Sequence, residues 1–249
     1  MWYKLFKYGL FRPAVKLSSR PWITGEENLP ASGGAILACN HLSAGDTFVL
    51  PVMVSRTVIF PAKAELFTGE HGLKSKIVAR FLKLVGQVPM DRGGGRASAE
   101  GLRPVIEVLH RGELVGIYPE GTRSPDGRLY KGKTGVARMA LEAGVPVIPI
   151  GMVGTDITKN RLGLPRMERP GVVIGKPLDF SGLVDNKKDL KTLRWVTDQV
   201  MAGIQELTGQ TYVDVYASRV KHGDLLGVDV TDRILERPGQ NTPAPESRP

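Results

Sequence analysis

The chain has 249 residues, with 34 Lys and Arg against 25 Asp and Glu, a formal charge of +9 and 41% hydrophobic content. That composition excludes a disordered, collagen-like or coiled-coil chain and is large enough for one substantial core. The single cysteine, Cys39, excludes a disulfide framework and a cysteine-based zinc site.

The charge is unevenly spread. Residues 1–20 hold five bases and no acid, residues 21–55 three acids and no base, and residues 56–133 fourteen bases and eight acids. The excess therefore sits at the N-terminus and in the middle third, where nucleic acid and an anionic membrane are both candidate partners.

Residues 1–20, MWYKLFKYGLFRPAVKLSSR, place Trp2, Leu5, Phe6, Gly9, Leu10, Pro13 and Leu17 on one helical face, with Lys4 and Lys7 opposite. Pro13 should kink or restart the helix near Arg12. An aromatic and aliphatic face backed by cations suits the lipid–water boundary, and an ordinary helix packed on its own domain would show the same pattern. No run of 18 apolar residues occurs and no signal-peptide pattern opens the chain, so a peripheral position on the cytoplasmic face of a membrane is expected.

Beyond Pro21, short apolar runs alternate with amphipathic stretches. AILAC (35–39), TVIF (57–60), LVGIY (114–118), VPVIPI (145–150) and GVVIG (171–175) predict buried strands. Residues 46–55, 73–84, 96–111, 133–143 and 185–207 predict helices, the last with an extension to about 220. The alternation predicts an α/β fold: a largely parallel central sheet flanked by helices, preceded by the amphipathic segment 1–21. The domain should span 22–222, with 223–249 a tail whose proline-rich end is expected to be disordered.

ILACNHLSAGDTF (36–48) carries the strongest chemical pattern. His41 follows a buried strand, and chemistry collects at the carboxyl ends of parallel strands. Asp46 opens the next helix, within reach of the imidazole. A carboxylate on one ring nitrogen fixes the tautomer and leaves the other as a base. Ser43 to Asp46 also matches a capping box, and the two roles are compatible.

IYPEGTRSPDG (117–127) follows another strand and presents Glu120, Gly121, Thr122 and Arg123 on its turn. The planar fork of arginine suits a phosphate. GQVPMDRGGGR (86–96) sets Arg92 and Arg96 around a glycine run before a helix, and PAKAEL (61–66) sets Lys63 after a strand.

Together these blocks resemble the 1-acylglycerol-3-phosphate acyltransferase family. NHLSAGD matches its N-H-x4-D block, Lys63-Ala-Glu-Leu66 with Gly86 to Arg92 its second block, Tyr118-Pro-Glu-Gly-Thr-Arg-Ser124 its F-P-E-G-T-R-S block, and 145–150 its V-P-I-V-P-V strand. The blocks lie in order across about 22–180. Tyr118 replaces the usual Phe, and Pro89 interrupts the second block. The resemblance implies direct acyl transfer from acyl-CoA or acyl-ACP to the hydroxyl of lysophosphatidic acid, with glycerol 3-phosphate or another lysophospholipid as alternative acceptors. It makes His41 the base, Asp46 its orienting partner, and Arg92 and Arg123 the phosphate holders. Glu120, Gly121 and Thr122 would shape the acceptor site, with Lys63 near the oxyanion or phosphate. Because a thiol leaves, no metal or redox cofactor is required.

Two rivals remain. Gly127 to Thr134, including Lys133, satisfies the phosphate-loop pattern of nucleotide hydrolases. Its interior is bulky, however, and it starts nine residues after its strand. Nucleic-acid binding is invited by the charge, but no helix-turn-helix, zinc-finger or RNP-like pattern supports it. No nucleic-acid partner is expected.

Overall fold

The computed structural model describes residues 2–70, 72–90, 99–159, 163 and 165–245. A helical arm opens the chain: α1 (Trp2–Phe6), a π-helical turn (Lys7–Phe11) and α2 (Arg12–Ser19), with Pro13 inside the first turn of α2. The arm stays helical through the proline: Arg12 N still bonds Lys7 O, and the π-helical turn precedes the position whose N–H is missing.

Strands β1 (Trp22–Thr24) and β2 (Ala35–Cys39) follow, then α3 (Asp46–Met53), β3 (Val58–Ile59) and β4 (Pro61–Lys63). Next come α4 (Gly72–Leu84), β5 (Val88–Met90), α5 (Ala99–His110), β6 (Leu114–Ile117), β7 (Leu129–Tyr130) and α6 (Gly135–Ala143). The remainder comprises β8 (Val147–Val153), β9 (Thr158–Lys159), β10 (Pro165–Arg166), β11 (Gly171–Ile174), α7 (Leu190–Thr208), β12 (Tyr212–Val213), α8 (Ala217–His222) and β13 (Ile234–Leu235).

Six strands form the central sheet in the order β1-β11-β8-β2-β6-β3. Every neighbouring pair in it is parallel except β11 with β8. The expected α/β architecture is therefore present, and its strands are continuous apolar runs because both faces are covered. On β2, Ile36 and Ala38 face a core shared with α5, α6 and α7, whereas Ala35, Leu37 and Cys39 face α3. Alternation along one strand thus assigns helices to the two layers.

Two departures have local causes. The last long helix does not run to 220. Gly209, at φ 65°, closes α7, and the chain turns into β12, which pairs with β7 and β13. Glycine reaches this left-handed conformation without the Cβ penalty. The other departure is Lys7, expected to meet lipid phosphates. It is 4% exposed, and its ammonium donates to the carbonyls of Val54, Ser55 and Arg56 beyond α3. Burial lowers its pKa to about 8. The expected apolar face stays outward at Trp2, Leu5, Leu10 and Leu17, and it is Phe11 and Val15, outside that face, that pack on the core.

Candidate active site

Parallel pairing explains how segments distant in sequence meet. Ala35, Ile36, Leu37 and Ala38 of β2 stand opposite Leu114, Val115, Gly116 and Ile117 of β6. The loops leaving both strands therefore emerge side by side at one sheet edge. Asn40 ends β2: its side-chain amide donates to Met152 O at 3.1 Å and accepts from Met152 N at 2.7 Å, replacing a backbone pair. The next residue, His41, turns away from the sheet.

The His41 backbone is held at both ends by the second loop. Its N–H donates to Glu120 Oε1 at 3.0 Å, and its carbonyl accepts from Ser124 N at 2.7 Å. The imidazole Nδ1 lies 2.8 Å from Asp46 Oδ2. A carboxylate only accepts, so Nδ1 carries the proton and Nε2 keeps its lone pair. Asp46 is wholly buried and also accepts from Leu42 N at 2.7 Å, Ser43 N at 2.9 Å and the Thr155 hydroxyl. The Ser43 contact is only half of the expected capping box: Ser43 Oγ accepts from Gly45 N at 2.8 Å rather than from Asp46 N, and Gly45 precedes the helix without a side-chain cap. Thr155, which follows β8, had no sequence signal, since only the sheet order brings it to Asp46.

Tyr118 stacks on the imidazole, with ring centroids 3.9 Å apart and planes 15° apart. Its hydroxyl is buried and has no hydrogen-bond partner among the described residues. The ring, rather than the hydroxyl, supports His41. Tyr118→Phe should therefore preserve turnover and raise stability by about 1 kcal/mol, read from denaturant midpoints. A lower midpoint would mean that the hydroxyl contributes a favourable contact.

Glu120 is 1% exposed and its second oxygen accepts from Tyr130 N at 3.0 Å. Burial pushes its carboxyl up to about 8 against the opposing pull of these two N–H groups. It braces β7 and the His41 loop rather than entering the groove beside His41. Gly121 (φ 76°) turns the chain, and a Cβ there would meet the Lys133 side chain at 3.0–3.1 Å. The backbone angle is what requires glycine here, since the flexible end of Lys133 could move aside.

That groove encloses about 1390 Å³, more than a typical small-molecule pocket. His41, Lys63, Gly121, Thr122 and Arg123 line it, as do Phe6, Phe11, Phe48, Phe81 and Leu82. Lys63 is exposed and pairs with Glu65 at 3.2 Å. Its neighbour across β4 and β5 is Met90, which leads toward Arg92. Arg92 and Arg96 lie outside the described residues. Lys133 and Arg138, given no role in acyl transfer by the sequence, also line the groove at the start of α6. No group of three or more His, Cys, Asp or Glu suited to a metal ion occurs among the described residues.

The nucleotide-loop pattern forms no phosphate loop. Its centre is β7, with Leu129 and Tyr130 fully buried, and its amides are already engaged. Leu129 N bonds Thr211 O, Tyr130 N bonds Glu120, and Lys131 N bonds Val215 O.

A largely parallel sheet carrying a carboxylate-held histidine beside an apolar groove with a cationic wall suits group transfer to an amphiphile. The Acyltransferase family model matches residues 20–153. The chain is 31% identical to the 1-acyl-sn-glycerol-3-phosphate acyltransferase of Bacillus subtilis (strain 168), across 74% of this chain and 86% of that protein. It is 33% identical to the chloroplastic LPAT1 of Arabidopsis thaliana, across 64% of this chain but only 44% of the plant protein. The crystal structure of the 1-acyl-sn-glycerophosphate (LPA) acyltransferase PlsC from Thermotoga maritima shares the fold, with a TM-score of 0.58 at 24% identity over 82% of this chain and 76% of that one. The chain belongs to the 1-acylglycerol-3-phosphate acyltransferase family.

Proposed function

We propose that the protein transfers a fatty acyl group from a thioester donor, acyl-CoA or acyl-ACP, to the free hydroxyl of lysophosphatidic acid, giving phosphatidic acid for phospholipid synthesis. The observation that carries this reading is the His41–Asp46 pair, with Nε2 unengaged among the described residues at the wall of a groove lined by aromatic and cationic side chains.

His41 Nε2 takes the hydroxyl proton as the oxygen attacks the thioester carbonyl. The tetrahedral oxyanion then collapses, the C–S bond breaks, and the thiolate leaves with the proton returned by His41. Asp46 keeps the imidazole in the productive tautomer and stabilises its protonated form. Arg123 and Lys133 hold the acceptor phosphate. The Arg123 guanidinium has no acidic partner among the described residues, so it is available to a ligand. The phenylalanines accept the acyl chain.

The proposed setting is peripheral attachment to the cytoplasmic face of a membrane. No described helix is long and apolar enough to cross one.

An acceptor panel tests the reading, with lysophosphatidic acid, glycerol 3-phosphate and lysophosphatidylcholine each offered with acyl-CoA and acyl-ACP. Lysophosphatidic acid should give the highest kcat/KM. Arg123→Ala and Lys133→Met should each raise its KM by about tenfold or more while altering kcat less. Unchanged KM values would remove both residues from the phosphate site.

A further inference from the structure

Helix α4 is packed unlike the other long helices. Of its side chains only Ala79 is buried, while Leu73, Ile77 and Val78 are 75%, 60% and 42% exposed. Leu73, Ile77 and Phe81 are spaced i, i+4, i+8 and form one stripe along the helix. At its inner end, Phe81 packs edge-on against Phe6 at 5.6 Å and Phe11 at 6.1 Å. Those three rings line the groove, so the exposed stripe leads directly to its mouth. The N-terminal arm, in contact with α4 through these rings, exposes Trp2, Leu5 and Leu10.

The charges on α4 say what covers this surface. Its thirteen residues include Lys74, Lys76, Arg80 and Lys83 and no acid. None of the four is paired with an acid among the described residues. An apolar stripe bordered by unpaired cations matches acyl chains beneath anionic headgroups. A second copy of this chain, itself at +9, would repel such a surface. A nucleic acid would leave the stripe without a partner.

We infer that α4 inserts its Leu73–Ile77 stripe into an anionic lipid monolayer as a second anchor, beside the N-terminal arm, and that the groove they both line opens onto the bilayer. The acceptor then enters sideways from the lipid phase without passing through water. This inference rests on the proposed lipid acceptor for the identity of what enters; the insertion itself does not depend on turnover.

Cys39 is fully buried, so one introduced cysteine can be labelled selectively. Leu73→Cys and Ile77→Cys, each carrying an environment-sensitive fluorophore, should shift to the blue and brighten about two-fold or more with phosphatidylglycerol vesicles. A label at Glu206→Cys on α7, behind the opposite face of the sheet, should not change. The double variant Leu73→Glu/Ile77→Glu should bind those vesicles at least about tenfold more weakly. It should still turn over a short-chain monomeric lysophosphatidic acid within about twofold of the parent, because neither residue lines the groove.

Unchanged vesicle binding by the double variant, or labels at 73 and 77 that respond no more than the one at 206, would overturn the inference. A label shielded without vesicles in a concentration-dependent manner would assign the stripe to a second copy of the chain and overturn it too. Should the parent acylate no acceptor while its labels insert, the activity proposal alone falls and the lipid surface stands.

Discussion

His41→Ala should lower kcat for acyl transfer by about 10²–10⁴-fold while leaving the fold intact. The loss corresponds to about 3–5 kcal/mol of barrier and comes from removing the base that takes the hydroxyl proton. Both backbone groups of His41 stay engaged, N–H with Glu120 and carbonyl with Ser124, so the loop has no reason to unfold. Asp46→Asn should fall in the same direction. Asp46 accepts four donors, from His41, Leu42, Ser43 and Thr155, and an amide presents an NH2 where one oxygen accepted. Single-turnover acyl transfer with circular dichroism separates the effects. Near-parent turnover by His41→Ala would remove it as the base.

The second large effect is expected at Glu120, where a buried carboxyl has both oxygens on backbone N–H groups 3.0 Å away. Glu120→Gln retains one acceptor and turns an NH2 toward the other donor, leaving a buried N–H unsatisfied. The loss should be about 1–3 kcal/mol at pH 5, with kcat reduced because the His41 backbone is displaced.

The pH dependence has a definite sign. The folded-state pKa, about 8, lies above the ordinary 4.5 because burial disfavours the charged form. Over that interval the native state holds a proton the unfolded chain has released. The contribution is complete below pH 4.5 and is lost as pH rises through 8. The parent should therefore lose stability across this range more steeply than Glu120→Gln, and the gap between them should narrow toward pH 8. Urea midpoints at constant m measure it. A gap that stayed constant from pH 5 to 8 would mean that Glu120 is ionised in the native state.

Much of the sheet could be read in advance because its strands are local patterns. AILAC coincides with β2, and 145–150 lies within β8 apart from its first two residues. The helix starting at Asp46 was equally legible, since its first carboxylate reaches backbone N–H groups only three and four residues back. Lys133 was not. Its pattern suggested nucleotide binding, and it lines the groove only because the chain reverses at Gly121 and crosses back through β7. Thr155 was silent for a similar reason, being joined to Asp46 through the β8–β2 pairing.

By itself, the sequence determined the strand and helix alternation, the His41–Asp46 spacing, the arginine-bearing turn and the placement of positive charge. Each depends on residues a few positions apart. The tertiary structure alone decided which loops share an edge, that Glu120 braces His41 from inside, that Lys7 turns inward, and that α4 leaves its stripe uncovered. These depend on sheet order and burial, where residues tens of positions apart compete for the same space and the same hydrogen-bond partners. The +9 charge is legible as a total in the sequence, but packing decided which cations face a ligand or lipid and which serve the fold.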